Sequence, residues 1–288
     1  MAAESHALIE LPCPFISEFG VIRFLADPGI APSDLLQRLK SGDYGKPFVI
    51  DDGECSTLYF TLRFVQSVMR HDDPAALELA YTQRMMTALL FLPQPQHILM
   101  LGLGGGSLAR FCLRHLPQAD LTAVELNPEV IAFRHLFKLP EDGPRFRIIE
   151  ADAAEYIASG IRTSDLIFVD AYDPFGAAPA VCSESFFAAA RQALSGRGIL
   201  VANLACERPE LQLLLDRIDR VFAGNILTLP VRDDGNTIVF AFRDPRFEPR
   251  WRWIAGQAKA MRQRYGLDFP AFAEQLVRRR KSLNLLGD

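Results

Sequence analysis

Asp170 and Asp173 stand three residues apart in DLIFVDAYDPFG, at the end of an apolar run. Like-charged carboxylates beside a ligand cleft raise each other's proton affinity, which suits a base or a cation-binding pair. The same two acids, ahead of Pro174 and Gly176, also fit a simple turn. Glu125 closes a second apolar run, LTAVEL, and Asp152 a third, RFRIIEAD. A carboxylate in the place of Glu125 can accept hydrogen bonds from both hydroxyls of a ribose; its plainer reading is a solvated acid beside a helix cap at Asn127. Asp152 has capping-box spacing with Glu155 and can also receive the amino group of an adenine. Ahead of all four acids lies LMLGLGGGSLARF, with Gly102, Gly104, Gly105 and Gly106. Backbone this bare lets a ligand lie against the chain, and a helix starting near Ser107 offers free N–H groups to polar or anionic atoms.

The surrounding pattern gives these residues one shared position. From His97 onward apolar runs alternate with segments of helical spacing: HILMLGL and SLARFCLRHL, LTAVEL and a helix from Asn127-Pro128 through Leu139, RFRIIEAD and AAEYIASG, DLIFVDAY and SESFFAAARQAL, GILVANL and PELQLLLDRIDRVFAG. Such alternation predicts a mostly parallel sheet with helices on both faces. Continuous apolar strands fit burial on both sides. Sheets of this kind bind ligands beyond the carboxyl ends of their strands, where the glycines and all four acids fall. NILTLPV and TIVFAFRD, joined through Asp233-Asp234-Gly235-Asn236, predict a closing antiparallel pair. That closure is more typical of S-adenosylmethionine-dependent transferases than of nicotinamide enzymes.

Two flanking regions read differently. Residues 1–72 hold short apolar runs, with Asp51-Asp52-Gly53 as a hairpin signal, and predict a small β-rich domain. Asp73-Pro74 predicts the start of a helix whose apolar face carries Leu77, Tyr81, Met85, Ala88, Leu89 and Leu92. The expected organisation is an N-terminal β-rich domain at 1–72, a catalytic α/β domain at 73–245 and a helical extension at 246–288. A net charge of −4 argues against a general nucleic-acid binder. No run approaches a membrane span, and no secretory signal is visible, so a cytoplasmic location is expected. The five cysteines are scattered and unpaired in spacing, as reduced thiols are, and the five histidines show no metal-ligand spacing.

Together these stretches resemble the polyamine aminopropyltransferase (spermidine/spermine synthase) family, within the class I methyltransferase-like, or Rossmann-like, fold. The resemblance runs over about residues 44–245, through the glycine loop, VELNPEV, EADAAEYI and VDAYDPFG. It implies that Gly102, Gly104, Gly105 and Gly106 cradle a nucleoside, that Glu125 holds its ribose, and that Asp152 and Ala153 meet the adenine. Asp170 would be the catalytic base and Asp173 would hold the amine acceptor, with Tyr81 and Tyr172 beside it. The implied donor is decarboxylated S-adenosylmethionine as a cosubstrate, with no permanently bound cofactor, no metal, and a homodimeric assembly. The chain departs from the family pattern in places. The family loop usually reads G-G-G-D-G, its Asp holding the donor's ammonium, and that place falls on Gly105. A Tyr-His-Glu triplet aligns with Tyr81-Thr82-Gln83, and Asp72, Asp73 and Glu78 are the nearby acids that could substitute. Intact S-adenosylmethionine in a methyltransferase, and a non-catalytic nucleoside-binding homologue, are the alternative readings.

Overall fold

The computed structural model describes residues 7–15, 20–26, 30–160, 163–173, 176–177, 179–231 and 235–284. Its N-terminal part is an antiparallel sheet of β1 (Ala7–Pro12), β2 (Val21–Ala26), β3 (Phe48–Asp51), β4 (Cys55–Thr61) and β5 (Phe64–Arg70), paired in chain order. The predicted hairpin joins β3 to β4, where Asp52 Oδ1 accepts from the Glu54 and Cys55 amides at 2.9 and 2.6 Å. Helix α1 (Pro32–Ser41), between β2 and β3, was not expected. It opens on Pro32 and stops at Gly42, whose φ of +82° is the left-handed geometry that ends helices.

The region from His97 onward is built on one seven-stranded sheet. Its strands are β6 (His97–Leu101), β7 (Asp120–Glu125), β8 (Phe146–Glu150), β9 (Ser164–Val169), β12 (Leu194–Leu204), β13 (Ile226–Pro230) and β14 (Thr237–Phe242), with a two-residue hairpin, β10 (Tyr172–Asp173) and β11 (Gly176–Ala177), outside it. The order is β13-β14-β12-β9-β6-β7-β8. Strands β8, β7, β6, β9 and β12 run parallel; β14 is antiparallel to β12, and β13 to β14. The closing pair is as expected, though Asp233 and Asp234 of its turn lie outside the described residues. The chain winds outward in both directions from β6 and β9, so the switch point lies between them.

Alternate residues of each strand feed two cores, as a period of two requires. Ile98, Met100, Ala123, Phe168, Val201 and Phe240 face α3 (Ser107–His115) and the C-terminal helices α8 (Trp251–Tyr265) and α9 (Phe269–Asn284). Leu99, Leu101, Val124, Ile167, Leu200 and Val239 face α5 (Ala153–Ala158), α6 (Glu184–Ala193) and α7 (Arg208–Val221). The N-terminal sheet shares a third cluster with the chain after β7, where Leu58 and Met69 pack with Val130, Phe133 and Phe137.

Two helix expectations need correction. The helix predicted from Asp73 begins only at Ala80, as α2 (Ala80–Met85), and tightens into a 3₁₀ turn over Met86–Leu90. Asp73 spends its carboxylate on Arg114 at 2.5 Å, and the Pro74 carbonyl accepts from Arg110, so neither serves a helical turn. The helix predicted through Leu139 is α4 (Pro128–Ala132) followed by a 3₁₀ turn at Phe133–His135; Lys138, at φ +51°, then breaks the spiral. Its start is as read: the Asn127 side chain caps the Glu129 amide at 2.9 Å. Among the described residues no helix is long and apolar enough to cross a membrane.

Candidate active site

Four adjacent strand ends carry the predicted residues in a row: Asp152 after β8, Glu125 on β7, the glycine loop after β6 and Asp170 after β9. At about 4.8 Å per strand, the row spans about 14 Å. Its centre is tight. The Gly102 amide donates to the Val124 carbonyl and the Asp170 amide to the Leu101 carbonyl, both at 2.9 Å. At Gly102, φ is +98°, and a Cβ there would lie 2.2 Å from the Asp170 carbonyl oxygen. No side chain fits, so loop and acid are locked together through backbone.

The Glu125 carboxylate is held by two amides, Leu103 N–H to Oε2 at 3.0 Å and Asn127 N–H to Oε1 at 2.9 Å. It is thus fixed against the loop rather than free in solvent. Asp152 is the N-cap of α5, its Oδ1 accepting from the Ala154 and Glu155 amides at 2.8 and 2.9 Å. Capping engages Oδ1, which leaves Oδ2 for a ligand. Ala153 opens the helix with its methyl in the core and its amide among those that lack an intrahelical partner.

Burial pushes the Asp170 carboxyl above the usual range, against the opposing hydrogen bonds from Asn203 and Tyr81. The Asn203 amide donates to Oδ1 at 2.9 Å. Tyr81 reaches the same carboxylate from α2 and also stands 3.4 Å from the Gln66 carbonyl. Tyr172 turns its hydroxyl inward, donating to the Asn203 carbonyl at 2.8 Å and accepting from the Ala205 amide at 2.7 Å. Burial raises its phenol well above the ordinary value. Asp173 pairs with Gly176 across the small hairpin. Its side chain, with Pro174 and Phe175, lies outside the described residues.

The departure at Gly105 has a physical counterpart. A Cβ there would sit 2.8 Å from Ser67 Oγ and 2.9 Å from Phe137 Cε1, closer than packed carbons tolerate. Both neighbours are buried. The Ser67 and Ser107 hydroxyls share a hydrogen bond at 2.9 Å, and Ser107 Oγ also lies 3.2 Å from the Val68 carbonyl. Beneath the pair, the buried Arg110 guanidinium donates to the Gly105, Phe137 and Pro74 carbonyls and to Ser107 Oγ. Burial lowers it to about 10. Replacing Gly105 with Asp is therefore expected to cost about 1–3 kcal/mol by overpacking, because the nearby Arg110 cation offsets charge burial but not the clash. Adding Ser67→Gly should recover part of that loss. Urea midpoints check this, and a wild-type midpoint for the single variant would refute it.

The other candidate acids face arginines. Asp72 pairs with Arg70, Glu78 lies 3.8 Å from Arg70, and Asp73 pairs with Arg114. Thr82 and Gln83 bond the Leu79 and Leu77 carbonyls of their own segment. Sequence reasoning gave no site role to Ser67, Arg110, Asn203 or Asn236, the last read only as part of the closing turn. Only Asn203 left a signal: it is a polar residue near the carboxyl end of the apolar run GILVANL.

This strand order, with a glycine loop and acids on one carboxyl edge, defines a class I methyltransferase-like transferase fold. Residues 78–223 match the spermine/spermidine synthase domain. A polyamine aminopropyltransferase of Chromobacterium violaceum is 38% identical over 229 residues, 79% of this chain and 88% of that one. One from Neisseria meningitidis serogroup A is 40% identical over 237 residues, 81% and 90% of the two chains. In fold, the chain resembles a spermidine synthase crystallised with the transition state analogue AdoDATO, at a TM-score of 0.56 and 19% identity, covering 77% of this chain and 85% of the other. The chain belongs to the spermine/spermidine synthase family.

Proposed function

We propose that the protein transfers an aminopropyl group from decarboxylated S-adenosylmethionine to an amine acceptor such as putrescine. The observation that carries this is Asp170: a carboxylate of raised proton affinity, fixed at the switch point of the sheet against the backbone of the glycine loop. The row of strand ends matches the donor in order and scale. Asp152 and Ala153 take the adenine, Glu125 the ribose, and Gly102, Gly104, Gly105 and Gly106 the sulfonium end, which brings the reactive carbon beside Asp170.

An aliphatic amine has a pKa near 10 and arrives protonated at neutral pH. Asp170, made more basic by burial, accepts that proton as the nitrogen attacks the carbon next to the sulfonium. The new C–N bond forms as the C–S bond breaks, and its electron pair leaves with sulfur as neutral methylthioadenosine. That leaving group needs no proton, so the base serves the nucleophile alone. Asp173 and Tyr81 would hold the acceptor in line, which supplies much of the rate. Tyr172 lends its ring, since its hydroxyl is committed to the end of β12.

The purified protein with decarboxylated S-adenosylmethionine and putrescine should release methylthioadenosine in step with the longer polyamine, followed by chromatography. Ser67 and Phe137 at Gly105 favour a second reading, because without a loop carboxylate nothing there repels the carboxylate of intact S-adenosylmethionine. Thermal shift separates the two. Decarboxylated S-adenosylmethionine or methylthioadenosine is expected to raise Tm more than S-adenosylmethionine does, by linkage to the folded state. The reverse order supports a methyltransferase, and no shift from any of them a non-catalytic homologue.

A further inference from the structure

Asn203 is fixed at both of its polar ends. It stands on β12, 5% exposed, and its Nδ2 donates to Asp170 Oδ1 at 2.9 Å. Its own Oδ1 accepts from Asn236 Nδ2, again at 2.9 Å, and Asn236 is buried in the turn that closes the sheet. The Asn203 main-chain carbonyl accepts from Tyr172. An amide can exchange its oxygen and nitrogen by turning over, at little cost in shape. Here a turn of Asn203 alone would set its donor against the Asn236 donor and its acceptor against the Asp170 carboxylate, and both bonds would be lost. The donor is thereby aimed at the carboxylate in one orientation.

We propose that Asn203, held by Asn236, is a positioning residue for the reaction: it pins one carboxylate oxygen of Asp170 and leaves to the incoming amine the lone pairs that neither it nor Tyr81 engages. The proposal rests on the aminopropyl-transfer reading for the role of Asp170 as base and for the identity of the amine; the bond from Asn203 to its carboxylate does not depend on that reading. The chain of amides runs from the closing hairpin into the site, so the antiparallel pair that ends the sheet also supports the base. A hydrogen bond donated to a carboxylate favours its charged form. Asn203 therefore opposes the burial that raises Asp170, and its removal raises the carboxyl further. Among the described residues, the titratable groups that meet Asp170 are Tyr81 on α2 and Tyr172 on β10, and Cys182 and Cys206 act on Tyr172 in turn.

The test is a carbon-13 NMR titration of the Asp170 carboxyl on the full chain without substrate, its signal assigned by its loss in Asp170→Asn. Asn203→Leu keeps the branched outline of the side chain but removes both the donor to Asp170 and the acceptor for Asn236, whereas Asn236→Ala removes only the second bond. In Asn203→Leu the midpoint is expected to move up by about one pH unit, the scale of one charge-assisted bond. Asn236→Ala frees the amide to turn and should move the midpoint the same way by less. Where transfer is measurable, the acid limb of kcat/KM should follow while methylthioadenosine affinity stays unchanged. A midpoint unmoved or lowered in Asn203→Leu overturns the proposal, and if that variant does not fold, the same result in Asn236→Ala does. Absent turnover in a wild-type protein whose Asp170 responds as expected defeats the transfer reading instead.

Discussion

Asp170→Asn is expected to lower kcat by about 10²–10⁴-fold, the usual contribution of a positioned base, while methylthioadenosine binds with unchanged affinity. Asparagine keeps the shape of the residue and can still accept from Asn203, so the bond at 2.9 Å survives the exchange. Glu125 is held by its own amides and does not depend on Asp170. What disappears is the capacity to take a proton. The pH dependence carries the argument further. In the wild type, activity is lost as pH falls through the raised carboxyl pKa, because a protonated Asp170 cannot act as a base. In the variant that limb vanishes, and residual turnover rises about tenfold per pH unit below the amine pKa, with the fraction of neutral amine. Stability should move the other way. A buried acid with a raised folded pKa binds more protons folded than unfolded, so its ionisation destabilises the fold as pH rises between the two values. An asparagine side chain carries no such cost, so at neutral pH the variant is expected to melt no lower than wild type. Initial-rate kinetics from pH 6 to 10 and melting curves check both, and retained turnover removes Asp170 from the base role.

Much of this site was legible because strand ends are punctuated. Glu125, Asp152 and Asp170 each follow an apolar run, and the rule that parallel sheets bind at their carboxyl edge does the rest. Asp152 carries both signals at once, a cap and a ligand position, and the structure shows the cap directly. The residues that escaped notice act through tertiary contacts that no local pattern encodes. Ser67 lies on an N-terminal strand 38 positions before Gly105, yet decides what fits there. Arg110 reads as one more polar residue of an amphipathic helix, but its guanidinium ties together three segments far apart in sequence. The helix expected from Asp73 failed for the same reason. Its cap and first carbonyl were claimed by Arg114 and Arg110, partners on another helix. Helix α1, by contrast, had its markers in view in Pro32, Leu35, Leu39 and Gly42, and the apolar runs around it drew the reading toward strands.

Gly102→Ala is expected to cost beyond about 4 kcal/mol of stability, a range reserved for named structural failures. Two costs add. At φ +98° an alanine is strained wherever it sits, and its Cβ would fall 2.2 Å from the Asp170 carbonyl oxygen. That neighbour is backbone in an adjacent strand, so no rotamer change relieves the overlap. The strand ends must part, which breaks the Asp170 N–H bond to Leu101 and displaces the base. Gly104→Ala is the control. Its φ is +53°, and the nearest atom to its Cβ is Ser67 Cβ at 4.0 Å, so only the backbone strain applies, about 1 kcal/mol. Urea unfolding with methylthioadenosine titration of each variant separates the two effects. If Gly102→Ala behaved like Gly104→Ala, the close approach of loop and base would not be a property of the protein in solution. The proposed placement of Asp170 against the donor would then lose its physical basis, because this contact sets the carboxyl end of β9 against the backbone of the glycine loop.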